Sequence, residues 1–98
     1  MTGDKVKVWR ENFHKALSNP IRLEIVDFLL EGERCQCEIF PRIGLAQSTV
    51  SAYLNQLVRA GILKIRKDGT RKMYSLTDSR IENTIKALRD LASEKISK

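Results

Sequence analysis

Apolar residues recur at helical spacing through the first third of the chain. Val6, Trp9, Phe13 and Ala16/Leu17 stand three or four positions apart between Lys5 and Leu17, which predicts one amphipathic helix. Ser18-Asn19-Pro20 interrupts it: Asn19 can cap a second helix, and Pro20 suits the first helical position because its missing N–H has no partner there anyway. Ile21, Ile25, Phe28 and Leu29 form the buried face of that second helix, with Leu23, Val26 and Leu30 beside it. Glu31-Gly32-Glu33 breaks the pattern. Cys35 to Ile43, carrying Ile39, Phe40 and Ile43, reads as a short helix beginning around Gln36 to Phe40, with Pro41 in its first turn or at a kink.

Gly44 can supply a left-handed turn residue. Beyond it Leu45, Val50, Leu54, Leu57 and Val58 recur on one helical face up to a stop at Ala60-Gly61, so the third and fourth helices make a helix-turn-helix. The period then changes from helical to alternating. Leu63 and Ile65 alternate with Lys64 and Arg66, and Met73 to Leu76 forms a second strand across Lys67-Asp68-Gly69-Thr70, where Asp-Gly is a hairpin signal. Thr77 or Asp78 can cap a last helix to about Lys95, with Ile81, Ile85, Leu88, Ala92 and Ile96 on one stripe and Leu91 alongside. The fold class is mainly α with a small β-hairpin, a winged helix-turn-helix in the order α-α-α-α-β-β-α, in a single domain over residues 1–98. Two amphipathic terminal helices offer more apolar face than one small core buries, which predicts a homodimer through Val6, Trp9, Phe13, Ile81, Ile85, Leu88 and Ala92.

Charge adds a location to this picture. The net charge is +6, yet lysines and arginines are cancelled by acids over Met1 to Ala46, outnumber them six to one over Gln47 to Leu76, and exceed them by one thereafter. A positive field concentrated in one segment attracts a polyanion, because each neutralised phosphate releases condensed counterions. No apolar run is long enough to span a bilayer, and Met1 to Arg10 is charged and not signal-like, so a cytoplasmic protein with no membrane partner is expected. Neither a Ser/His/Asp constellation, a phosphate-cradling glycine loop nor a cofactor fingerprint occurs. With one histidine for acid-base work, no enzyme activity and no constitutive cofactor are expected.

Opposite the apolar stripe of the fourth helix stand Gln47, Ser48, Thr49, Ser51, Ala52, Asn55 and Arg59. Gln and Asn can bond adenine edges in the major groove, Ser and Thr can serve bases or phosphates, and the N–H groups at the helix start can hold a phosphate. The hairpin contributes Lys64, Arg66, Lys67, Arg71 and Lys72 against Asp68 alone, a wing suited to phosphates or a minor groove. The partner these surfaces imply is a double-stranded DNA operator. A winged-helix module that binds a protein partner is the competing reading.

Four segments, Ala16-Leu17-Ser18-Asn19-Pro20-Ile21-Arg22-Leu23-Glu24-Ile25, Cys35-Gln36-Cys37-Glu38-Ile39, Gly44-Leu45-Ala46-Gln47-Ser48-Thr49-Val50-Ser51 and Asp68-Gly69-Thr70-Arg71-Lys72-Met73-Tyr74-Ser75-Leu76, together resemble the ArsR/SmtB family of metal-sensing repressors. The resemblance implies a dimer that binds an operator palindrome and leaves when an inducer binds, and it places Cys35 and Cys37 on the Cys-x-Cys box that supplies thiolates in metal-responsive members. It also exposes departures. Phe40 stands where the arsenic-sensing version often has a further Cys, the N-terminal cysteines of the cadmium- and lead-sensing version are absent, and Ile81 to Lys98 holds no His for a zinc site. Ala46 replaces the usual capping Ser of the reading helix, and Ala52 stands where Arg is common.

Cys35 and Cys37 are the only cysteines, not a disulfide framework, and in a reducing compartment both are expected as thiols. Residues two apart point nearly opposite ways on a helix and share a face in extended chain, so the pair can grip one soft ion only if the helix start is open. Three roles stay open for them. They can bind As(III) or another thiophilic metal ion as inducer, act as a redox-sensing pair, or serve as small apolar fillers of a signal-independent repressor. His14, the sole histidine, reads as a surface or dimer-edge residue.

Overall fold

A computed structural model describes residues 2–97. In chain order the elements are α1 (Thr2–Ala16), α2 (Pro20–Leu29), β1 (Arg34–Cys35), α3 (Gln36–Ile43), α4 (Gln47–Arg59), β2 (Leu63–Asp68), β3 (Arg71–Leu76) and α5 (Ser79–Ile96). The helices and hairpin follow the expected order, and β1 is an addition. It pairs antiparallel with β3 through Arg34↔Tyr74 and Cys35↔Met73, completing a three-stranded sheet of order β1-β3-β2. Two residues carry too little alternation to announce a strand, and only the partner edge of β3 makes them one.

Local chemistry explains the boundaries. Asn19 caps α2, its side-chain oxygen accepting the N–H groups of Ile21 and Arg22 at 2.9 and 3.0 Å, with Pro20 just inside the helix. Gly44 ends α3 in the left-handed region at φ 76°, a conformation that costs glycine no side-chain clash. At the wing tip Gly69 has φ +67° and Thr70 is not left-handed; glycine first in a two-residue loop is the II′ arrangement, and Asp68 therefore closes β2 and stays out of the turn. Asp78 caps α5 by accepting from Arg80 and Ile81. Thr77 instead donates its hydroxyl to the carbonyl of Gly61.

Pro41 is not in the first turn of its helix. It lies in the second turn of α3, where its nitrogen has no hydrogen for the carbonyl of Cys37. The helix start is held separately, where the N–H of Cys35 donates to Glu38 Oε1 at 3.0 Å.

Ile25, Val26, Ile39, Val50, Leu54, Leu57 and Ile62 are fully buried and hold α2, α3 and α4 to the sheet. Burying each such side chain contributes roughly 1.5–3 kcal/mol. Leu63, Tyr74 and Leu76 close the core from the sheet side. Phe13 and Ile85, expected at a dimer face, are 8% and 6% exposed and belong to this internal core. The helical stripe of each terminal helix is wider than one contact, so its inner edge packs at home and only its outer edge stays open. Leu45 precedes α4 and is exposed, as are Leu23 and Ile65, because the core ends before it reaches them. No described helix is long and apolar enough to cross a membrane.

Candidate nucleic-acid interface

The reading helix is held by its apolar side and free on the other. Val50, Leu54 and Leu57 anchor α4 in the core, which leaves Gln47, Ser48, Thr49, Asn55 and Arg59 exposed on the outer face. Ala46 at the N-cap has no side-chain acceptor, so among the described residues no side chain takes the first N–H groups of α4, the kind of helix start that can hold a phosphate. Ser51 is different from its neighbours. It is half-buried and receives a 3.5 Å hydrogen bond from Gln36 Nε2, which directs it toward α3.

On the wing, Lys67 and Lys72 stand directly opposite one another, and Asp68 faces Arg71. Like charges opposed across an antiparallel pair repel, and a phosphate between them turns that repulsion into attraction. Among the described residues no salt bridge forms to Arg59, Lys67, Arg71 or Lys72. Arg66 is not equivalent to them. Glu33 binds its guanidinium at 3.1 and 2.7 Å, which lowers the Glu33 carboxyl below its ordinary range, chiefly through that hydrogen bond. Arg66 thus ties the wing to the loop before β1. Glu33 is a contact of the wing that periodicity and motif could not reveal, since thirty-three positions separate it from its partner.

The cysteine pair sits beside this surface. Cys35 is the N-cap of α3 in extended conformation and Cys37 is its second residue, so the two sulfurs fall on one side in spite of the helix that follows. They are joined as a disulfide, with Cα atoms 5.1 Å apart, where free thiols were expected from the compartment. Closeness imposed by the cap geometry explains the pairing. Cys35 is buried and Cys37 exposed. A cleft of about 380 Å³ lies against them, lined also by Gln47 from α4 and by Thr70, Arg71 and Lys72 from the wing. The spacing Cys35-x-x-Glu38 is a capping box with sulfur in the place of a hydroxyl, a signal that could have located this helix start from sequence. Among the described residues no group of three or more His, Cys, Asp or Glu side chains gathers to hold a metal ion. Two sulfurs alone fall short of the four ligands of a tetrahedral zinc site.

A cleft between α1 and α5 is lined by Trp9, Phe13, His14, Ile81 and Thr84. Val6, Trp9 and Leu88 are 53%, 49% and 58% exposed, and Ile81 is half-buried. Ala92 lies exposed further along α5. His14 is exposed, its ring edge-on to Phe13.

A polar reading helix framed by an acid-poor β-ribbon defines a winged helix-turn-helix regulator of the DNA-binding type. The chain belongs to the arsR family of bacterial regulatory proteins: the family described as "Bacterial regulatory protein, arsR family" matches residues 19–64. It is 37% identical over 82 residues to a "Probable mercury resistance operon repressor" of Streptomyces lividans, a match covering 84% of this chain and 66% of that protein. It is 41% identical over 78 residues to an HTH-type transcriptional regulator of Methanocaldococcus jannaschii, covering 79% and 88%. Among solved structures, the homodimeric winged helix-turn-helix DNA-binding domain Mb0332 of Mycobacterium bovis superimposes with a TM-score of 0.92 at 29% identity, over 96% of this chain and 87% of that one.

Proposed function

We propose that the protein is a homodimeric transcriptional repressor that holds a DNA operator with α4 and the wing and is released by a thiol-directed signal at Cys35 and Cys37. The single observation that carries the DNA reading is that the exposed α4 face shares a cleft with a wing whose lysines and Arg71 form no salt bridge among the described residues. Gln47, Ser48, Thr49 and Asn55 read bases, while Arg59, Lys67, Arg71 and Lys72 engage phosphates. Dimerisation is supported by the apolar edge of α1 and α5 and by the homodimeric state of the Mycobacterium bovis domain. Two-fold symmetry then presents two reading helices to successive major grooves, about 34 Å apart.

The inducer is a thiophilic species, As(III) or a similar ion, held by both sulfurs in their reduced form. The exposed Cys37 meets it first, and a further ligand comes from solvent or from a second copy. Because the pair lines a cleft shared with Gln47 and the wing, a ligand there displaces DNA-reading groups without a long relay. A second reading is favoured by the joined sulfurs: a peroxide oxidises one thiolate to a sulfenic acid, and the other thiol displaces water to form the disulfide.

The test is binding to the promoter fragment upstream of its own gene across a salt series. Affinity is expected to fall steeply with salt, and Lys67→Ala to flatten the log–log slope by about 0.9 for each phosphate left without its cation. Absence of binding at every salt concentration defeats the DNA reading. For the signal, Cys35→Ser and Cys37→Ser variants are expected to stay on DNA when As(III) or peroxide is added. Release equal to that of the unaltered protein removes both thiols from the mechanism.

A further inference from the structure

Arg22 takes no part in the surface just described, yet its side chain joins more elements than any cation of the reading face. Its Nε donates to the carbonyl of Ala16 at 2.6 Å and its Nη2 to the carbonyl of Lys15 at 3.1 Å, both in the last turn of α1. Its Nη1 donates to Gln56 Oε1 at 2.6 Å, and its guanidinium carbon lies 5.5 Å from the ring centre of Tyr53, both residues of α4. The backbone N–H of Arg22 is itself held by the Asn19 cap. Among the described residues no carboxylate forms a salt bridge with it, so its charge is met by the carbonyl end of α1, where the helix dipole favours a cation.

From this geometry we infer that Arg22 is a positioning residue for DNA binding, a planar clamp that fixes the reading helix α4 against the end of helix α1. The inference rests on the proposed function, in which α1 carries the face offered to a second copy and α4 reads the groove. A fork with donors in one plane reaches two carbonyls and an amide at once. Lysine carries the charge but offers a single nitrogen and cannot keep all three contacts. Loosening the clamp leaves the core residues of α4 in place and frees its outer face to shift relative to its twin, which spoils the register between the two half-sites.

The experiment compares Arg22→Lys, Gln56→Ala and the double variant with the unaltered protein on the promoter fragment, reading affinity, its salt slope, sedimentation and thermal midpoint. The clamp predicts folded dimers with about a tenfold loss of affinity in Arg22→Lys and an unchanged salt slope. Gln56→Ala should lose affinity as well, and the double variant should lose less than the product of the two single losses. With the charge removed in Arg22→Gln, a slope reduced by about 0.9 for each phosphate left without its cation identifies Arg22 as a phosphate ligand and overturns the inference. A lower thermal midpoint with undiminished affinity of the folded protein makes it purely structural and overturns it too. If Arg22→Lys does not fold, Gln56→Ala decides, since its side chain is exposed and outside the core: full affinity there defeats the clamp. Unaltered protein that binds no promoter DNA defeats the functional reading itself, a result distinct from equal binding by all four proteins.

Discussion

Replacing Ala46 by Ser supplies the reading helix with the cap it lacks. Ala46 has φ −54° and ψ 140°, an extended conformation that serine adopts without rearrangement. Its carbonyl already accepts the N–H groups of Thr49 and Val50 at 3.0 and 3.1 Å, but its methyl group accepts nothing. A serine oxygen at this point reaches the N–H of Ser48 or Thr49. Loss of such a cap costs about 0.5–2 kcal/mol, so the reverse change is expected to add about 1 kcal/mol. Because Val50, Leu54 and Leu57 are core residues, the first turn of α4 unfolds with the whole molecule and the gain appears in global stability. For a domain of this length that is a rise of roughly 4–8 °C in thermal midpoint. The assay is a melt followed by circular dichroism at one fixed protein concentration, with Ala46→Leu, which brings no acceptor, as a neutral control. Affinity for DNA is not expected to rise in parallel, since the new hydroxyl occupies an N–H that a phosphate can use. A midpoint for Ala46→Ser at or below that of the unaltered protein refutes the argument.

Other consequences are equally direct. Leu54→Ala empties a fully buried site on α4 and is expected to cost about 2–5 kcal/mol, measured by chemical denaturation; a cost under about 1 kcal/mol would show that the site collapses or was never packed. Trp9→Ser with Leu88→Ser removes half-exposed apolar surface from α1 and α5, so sedimentation should show monomers with little change in secondary structure; an unaltered dimer places the interface elsewhere. Asp78 caps α5, and the N–H of Ile81, followed by that of Arg80, lowers its carboxyl below the ordinary Asp value. The folded-state value is depressed, so the cap's contribution is present above the unfolded value, about 3.9, and is lost as pH falls through the lower folded one. A carbon-detected NMR titration of Asp78 is expected to place its midpoint below that of a denatured reference, and coincidence of the two would remove the cap.

Much of this molecule is written locally. Asn19-Pro20, Gly44, Gly69 and Asp78 act on N–H groups or dihedrals within three residues of themselves, and so the helix-turn-helix, the wing and the start of α5 are legible without a partner element. The exposed polar face of α4 follows from the same helical period that buries Val50, Leu54 and Leu57. What the chain alone withholds is set by approach from elsewhere. β1 exists because β3 offers it an edge, Arg66 is tied because Glu33 arrives beside it, and Phe13 and Ile85 are buried because α1 and α5 close over the core with their inner edges. Cys35 and Cys37 share a side because the helix begins between them, and Arg22 joins α1 to α4 because three segments meet at its guanidinium. Periodicity and caps act over a few residues, whereas these contacts depend on distances that only the packed chain determines.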